Sequence, residues 1–497
     1  MTPVLDSKPR FLGLAPAGAA ILLIAVTTAF RLFYGMWLPL LPDEAYYFQW
    51  ARHLDASFIS KGPAVAYTIA AGTGLFGANN LGIRFFAVML SAGTAWQVFL
   101  LARRWYDDVT GLIAVLIAGV VPLYAIGSVV MTIDPLSVFF WVWAANLFSR
   151  ALQKGRSRDW ALTGFAVGSG FLAKYLNALE LVSFLAFLLV MPDRRRLVAQ
   201  PGFWLMLLVT AICTTPVFWW NGEHGWISFG QLMNRGQLSS PGPFVIKAST
   251  FLNFIAMQAV VISPMLFVAL LASIGISFAR KFHRRDGSQN EGEILLFILF
   301  VPVFALYAIL SWHLRCEPNW PAVSYLSLLI ILASHWRKML LSRKRSQPFI
   351  ILAFTLAWLQ TLLMHDTTPL HLPQREDPMG RVAGWRQIAE RLDDLRQREH
   401  ADVLIADAYK EAGIFSYYLP DQDFVFTRRH QPAANQYDLW PGYPTDRTAL
   451  WITGDPTPIA LQREFSTITW LERDRVFFHD KPFREYDVYR CENKPQP

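Results

Sequence analysis

The chain reads as an α-helical polytopic membrane protein that ends in a small α/β domain. Three observations predict this. Only 16% of the 497 residues are charged and 54% are hydrophobic, whereas ordinary soluble domains carry about 25% charged residues. Several apolar runs reach the roughly 20 residues needed to cross hydrocarbon. From His365 onward charge rises, and helix and strand patterns alternate over short distances.

The first apolar stretch, near residues 13–35, is too long for a signal-peptide core and no small-residue cleavage site follows it, so it reads as a retained span. Basic residues then recur in short connectors: Lys8/Arg10, Arg103/Arg104, Arg150–Arg158, Arg194–Arg196, Arg280–Arg285 and Arg337–Arg345. Placing all of them in the cytoplasm, as the positive-inside rule expects, sets the register. Spans then fall near 13–35, 83–102, 110–132, 135–152, 203–221, 250–279, 293–312, 319–336 and 348–364.

Segment 161–191 joins two basic clusters, so a single crossing breaks the rule, and it is shorter than the roughly 40 residues two full crossings want. A hairpin of two short helices, broken near Ala173–Asn177, restores parity. About 11 passages result, with a cytoplasmic N-terminus and an extracytoplasmic tail. This divides the chain into a transmembrane domain, 1–364, with a first outer loop at 36–80, and an outer α/β domain, 365–497. In that tail Gly384–His400 is amphipathic, with Ile388, Leu392 and Leu395 on one face, and "ADVLIAD" and "TALWITG" read as buried strands.

The net charge of +8 sits in the short connectors, and no basic stripe with interleaved aromatics accompanies it, which argues against nucleic acid as a partner. Three cysteines make no disulfide framework; whether Cys316 and Cys491 pair is left open. No metal-binding spacing such as CxxC or HExxH occurs. The absence of an internal repeat weakens an inverted-repeat transporter.

Chemistry-bearing residues gather on the predicted outer side. Asp43 and Glu44 follow Pro42. They read either as helix-start charges on an interfacial helix, Asp43–Leu54, anchored by Tyr46, Tyr47 and Trp50, or as carboxylates lining a functional cavity. Tyr46, next to the pair, is also a substrate-binding candidate. Lys61, in "SKGP", is a snorkelling lysine or a point charge for a phosphate. Asp134, ahead of Pro135, is a helix N-cap or an acid at an outer mouth. Arg31 and Arg84 bracket the first loop near span ends. The turn "WHLRCEPNWPAVSY" packs His313, Arg315, Glu317 and Asn319 into a very short connector, which favours a cavity. Lys174, in the predicted break, either snorkels or pairs with Glu180.

"PDEAYYFQWARHLD" followed by "SKGP", then "EPNWPAVSYL" and the tail pattern "YKEAGIFSYYLP…NQYDLWPG", resemble bacterial membrane glycosyltransferases of the GT-C fold, the protein O-mannosyltransferase-like family and its relative, the lipid A aminoarabinose transferase, which implies a bacterial inner membrane with the tail in the periplasm. The resemblance implies an inverting transfer of sugar from a polyprenyl-phosphate donor to a lipid, glycan or protein acceptor outside the cytoplasm. It implies Asp43 as general base, with Glu44 as a helper or a helix-start charge, and Lys61 as the cation on the leaving phosphate. Arg84 or Arg315 would supply a second phosphate contact. Ser60 and Gly62 depart from the family's "EKPP", where Glu and Pro stand in their places. A divalent metal is left open, since outer carboxylates offer ligands while Lys61 lessens the need for one. Two rival classes are a lipid-linked sugar flippase or transporter, and a scaffold that binds a partner through its tail. Ionisable residues at the ends of spans, rather than at mid-bilayer, favour catalysis over transport.

Overall fold

The computed structural model describes residues 10–235, 246–283, 291–342, 347–374, 376–430, 432–444, 446–454, 464–479 and 481–493. Part of the loop expected at 222–248, and parts of the basic clusters (residues 8, 284–285 and 343–345), lie outside them.

The helices are α1 Pro16–Trp37, α2 Pro42–Arg52, α3 Ala64–Phe76, α4 Asn80–Trp105, α5 Asp108–Val120, α6 Pro122–Gly127, α7 Ile133–Lys154, α8 Ser157–Ala173, α9 Leu179–Val190, α10 Pro201–Glu223, α11 Ile227–Arg235, α12 Ala248–Ile262, α13 Pro264–His283, α14 Glu291–Leu310, α15 Ala322–Ser342, α16 Gln347–His365, α17 Trp385–Arg398 and α18 Tyr409–Tyr418. The strands are β1 Val403–Ala406, β2 Phe426–Thr427, β3 Ala449–Thr453, β4 Thr467–Phe478 and β5 Lys481–Glu492. Two compact units emerge. The first comprises Met1–Met36, Lys61–Val65 and Arg84–His365; the second comprises Trp37–Ser60, Ala66–Ile83 and Asp366–Pro497. Much of the outer loop expected at 36–80 therefore groups with the tail.

The first unit is a multi-pass membrane body. Among the described residues α1, α4, α10, α14 and α16 are long and apolar enough to cross a bilayer, and α12 with α13 is equally apolar but bent by 105°, as in a broken span or a re-entrant loop. The bend falls at Ser263 (φ +82°), where the following proline disfavours helix at the preceding residue. The other expected passages coincide with shorter or broken helices, or with α7 and α15. Those two are buried along most of their length and form the centre of the unit. Such helices need apolar residues on every side rather than on one stripe.

Paired charges cluster at the basic ends of the helices. Asp107 caps α5 by accepting from Thr110 N (2.9 Å) and also meets Arg337; Arg150 pairs with Asp159 (2.8 Å), and Arg194 grips Glu291 through two nitrogens (3.1 and 3.0 Å). Arg194 also donates to Leu152 O near the end of α7 (3.1 Å). The segment after α9 thus returns to the end of α7 from which α8 departs, and α8 and α9 run as the two arms of a hairpin. At about 1.5 Å per residue the arms reach only about 25 and 18 Å, short of the roughly 30 Å hydrocarbon core.

The break between the arms is held by polar contacts. Lys174 is extended (φ −146°, ψ 119°), and its Nζ meets Asp134 Oδ1 at 2.9 Å and Trp320 O at 3.4 Å. Asn177 accepts from Ser137 Oγ (2.5 Å) and donates to Ser137 O (3.0 Å). The pairing of Lys174 with Glu180 that the sequence raised is not formed. Glu180 is fully buried, with no hydrogen-bond partner on either carboxylate oxygen. Asp134 is not an N-cap either: Thr132 takes that place and accepts from Asp134 N, so Asp134 lies within the first turn and its carboxylate turns to Lys174.

In the second unit a mixed sheet of order β2-β1-β3-β5-β4 is parallel across β2, β1 and β3 and antiparallel from β3 to β5 and β4. "ADVLIAD" and "TALWITG" become the paired strands β1 and β3. α17 buries Trp385, Ile388, Ala389, Leu392 and Leu395, the one-face spacing read from its sequence. All three cysteines are free thiols.

Two consequences can be measured. A Cβ on Gly62 would lie 2.1 Å from Leu172 O at the end of α8. Gly62→Ala should therefore cost about 1–3 kcal/mol through overpacking, whereas Gly74→Ala, which meets nothing within 4 Å, should be neutral or slightly stabilising. Apparent melting temperatures in detergent report both. Lys174→Met leaves Asp134 largely buried without its cation and should cost about 3–5 kcal/mol, part of it recovered in Lys174→Met/Asp134→Leu.

Candidate active site

In the second unit the site is built on α2. Pro42 occupies the first helical position, where its missing N–H costs nothing, after an extended Leu41 (φ −79°, ψ 147°). Glu44, at the third position, is fully buried and its Oε2 accepts from Leu41 N (3.1 Å), half of a capping box. Asp43, one residue earlier, points elsewhere. Its side chain is 50% exposed, and its Oδ1 meets Lys410 Nζ at 2.8 Å. Burial lowers the lysine's pKa, but the charge of Asp43 and the hydrogen bond to it outweigh that and raise it above the ordinary lysine value.

The tail holds α2 through its backbone. A Cβ on Gly413 of α18 would stand 3.0 Å from Tyr46 N and 3.1 Å from Tyr46 Cα, so the two helices meet where only glycine fits without a shift. Tyr418 Oη accepts from Leu40 N (2.9 Å), and Tyr417 Oη donates to Asn80 Oδ1 (2.7 Å). Tyr46 is 5% exposed; its hydroxyl accepts from Gln436 N (2.8 Å), while Gln436 Oε1 accepts from Ile59 N (2.9 Å). Burial pushes the Tyr46 phenol well up, so it stays a neutral hydroxyl. The expectation that Tyr46 and Trp50 anchor an interfacial helix in lipid headgroups is corrected. Tyr46 packs on the ring of Tyr409 (4.4 Å) and Trp50 on that of Phe58 (4.3 Å), both against protein.

In the first unit Lys61 is half-buried, directly before the Gly62 that rests on Leu172. The position at which this chain has Gly instead of the family's proline is therefore one where any side chain would strike the α8 backbone. Two residues beyond Leu172, Lys174 binds Asp134, and Asn319 Nδ2 donates to Asp134 Oδ2 at 2.6 Å. Lys174, Asp134 and Asn319 thus form one polar cluster, and the Lys61 turn packs beside it. In the same 313–319 turn Arg315 and Glu317 are exposed and His313 is half-buried. Arg84 is 1% exposed, with Nη1 donating to Gly35 O (2.9 Å) between α4 and α1.

Sequence reasoning missed Lys410 and Gln436 as neighbours of the Asp43 helix, and Asp134 as the partner of Lys174. The signal for the first two was present: "YKEAGIFSYYLP" and "NQYDLWPG" supply Lys410, Gly413, Tyr417, Tyr418, Gln436 and Tyr437. Among the described residues no three His, Cys, Asp or Glu side chains are grouped to hold a metal ion.

Comparison with known proteins follows the same outline. Residues 60–220 match the family model described as dolichyl-phosphate-mannose-protein mannosyltransferase. The lipid A galacturonosyltransferase RgtD of Rhizobium johnstonii is 26% identical over 392 residues, covering 77% of this chain and 78% of that one. The undecaprenyl phosphate-alpha-4-amino-4-deoxy-L-arabinose arabinosyl transferase of Pseudomonas paraeruginosa is 33% identical over 174 residues, covering 29% of this chain and 30% of its own. ArnT from Cupriavidus metallidurans, solved bound to undecaprenyl phosphate, superposes with a TM-score of 0.64 at 14% identity, over 97% of this chain and 100% of that one. The chain has the fold of these membrane glycosyltransferases, and in sequence it is similar to the dolichyl-phosphate-mannose-protein mannosyltransferase family over residues 60–220 and to lipid A sugar transferases.

Proposed function

We propose that this protein is an inverting glycosyltransferase that moves a sugar from a polyprenyl-phosphate donor to a hydroxyl of lipid A or a similar envelope lipid. The observation that carries this reading is the likeness to a lipid A galacturonosyltransferase over about three quarters of both chains. The relative named for an undecaprenyl-phosphate sugar supports the donor class. In this reading residues 1–364 cross the inner membrane with the N-terminus in the cytoplasm, and residues 365–497 lie in the periplasm. The basic clusters support that orientation.

The roles follow from the side chains. The acceptor oxygen attacks the anomeric carbon, its proton passes to Asp43, and the bond from that carbon to the phosphate oxygen breaks with the electron pair leaving on the phosphate. A half-exposed carboxylate suits a base that an acceptor must reach. Lys61 offsets the charge that builds on the leaving phosphate. Asp134 and Asn319, tied to Lys174, and the exposed Arg315 and Glu317 are the sugar and phosphate contacts, with His313 beside them. Glu44 fixes the helix start, and Tyr46 and Arg84 hold backbone in place.

The test uses membranes containing the full chain. The polyprenyl-phosphate lipid fraction of the parent cells serves as donor, envelope lipid from cells lacking the protein as acceptor, and products are read by mass spectrometry. Asp43→Asn should lower transfer at least about 100-fold, the usual loss for a general base, and Lys61→Ala should lower it by a similar factor. Glu44→Gln keeps an acceptor for the cap and should retain transfer within about threefold. Full transfer by both Asp43→Asn and Lys61→Ala would overturn the reading.

A further inference from the structure

Lys410 stands at the second position of α18, behind an Ala408 whose side chain offers no cap. A cation in the first turn of a helix opposes the helix dipole, so helix stability does not favour a lysine here. The ion pair it makes with Asp43 is about half exposed on both sides, at 43% and 50%, and pairs of that kind contribute little to folding. The charges that bear on Lys410 are Asp43 from α2, Tyr409 from its own helix and Arg381 from the segment before α17. Arg381 and burial oppose its charge, and Asp43 supports it. The next residue, Glu411, faces away and accepts from Tyr486 Oη (3.1 Å). Lys410 and Gly413 are three residues apart and share one face of α18. The contact at Gly413 therefore fixes how far the ammonium stands from α2.

We propose that Lys410 is a positioning residue for the base: its ammonium holds Oδ1 of Asp43, and Oδ2 is left to take the acceptor proton. This inference rests on the reading of Asp43 as base. The pair sets the rotamer of a carboxylate that would otherwise swing freely at a half-exposed helix start. Fixing that rotamer raises the fraction of encounters in which the acceptor oxygen, the carboxylate and the anomeric carbon align. The effect then appears in turnover rather than in acceptor binding, because a misplacement of about 1 Å near the reacting atoms costs up to about 100-fold in rate.

The assay described above, with acceptor lipid varied, tests it in the full chain. Lys410→Met should lower kcat about tenfold while the acceptor KM stays within about twofold, on the same positioning argument, and Lys410→Arg should restore most of the loss. In an Asp43→Asn background, Lys410→Met should cost nothing further, since residues acting as one unit are not additive. Wild-type kcat in Lys410→Met would overturn the proposal, as would an equal loss in both backgrounds. Loss of protease resistance in Lys410→Met and Lys410→Gln alike would also overturn it, in favour of a structural role. Undiminished transfer by Asp43→Asn sinks the reading of the base itself. A dead Asp43→Asn beside a fully active Lys410→Met sinks only the role of Lys410.

Discussion

A helix interrupted at membrane depth must find partners for its backbone and for any charge it carries there, because hydrocarbon offers none. The interruption between α8 and α9 meets that demand with the Lys174–Asp134 ion pair, Asn319 on the second carboxylate oxygen and the Asn177–Ser137 pair. Contacts from two separate stretches of sequence, the start of α7 and the 319–320 turn, converge on one break. Removing the cation would leave a carboxylate with little water to turn to. The same break offers the bare backbone at Leu172 on which Gly62 rests, so the position of Lys61 depends on how the hairpin is pinned. A polar defect in an apolar body thereby becomes a scaffold for charge.

The adjacent carboxylates Asp43 and Glu44 show how secondary structure separates like residues. Successive positions on an α-helix point about 100° apart. One acid is therefore carried inward to cap Leu41 N, while its neighbour is left half exposed beside Lys410. Their chemistry differs because their surroundings do: an acid whose oxygen is engaged by a buried amide is poorly placed to reach a substrate, and an exposed one can take a proton. The helix-start reading of this acidic pair holds for Glu44, and the proposed role of base falls to Asp43.

Local pattern carried much of this into view. The long apolar runs, the break near Ala173–Asn177, the one-face spacing of α17 and the apolar strands β1 and β3 all express periodicities of a few residues, which a sequence displays directly. The long β4–β5 hairpin did not stand out. Its strands alternate charged and aromatic residues, and Arg473 binds Asp487 across the strands instead of burying an apolar stripe. The partner of Lys174 was equally hidden: Glu180 is six residues away in sequence but not bonded to it, and Asp134 is 40 residues away but in contact. Lys410 stands even farther from Asp43 along the chain, and only a motif in the tail marked it. Contacts made across hundreds of residues leave no periodic trace.

The hydrogen bond from Leu40 to Tyr418 joins residues 378 positions apart, and this bears on how the protein is made. At about 5–20 residues per second of synthesis, the short helix bearing Asp43 leaves the ribosome about 20–80 s before its partner helix exists. During that interval its buried aromatic face and its acid pair have no docking surface, while the intervening spans are still being inserted. The second unit can close only at the end of translation. Chains truncated before α18 would accumulate as inserted but unfinished molecules, with the Asp43 helix open to proteolysis.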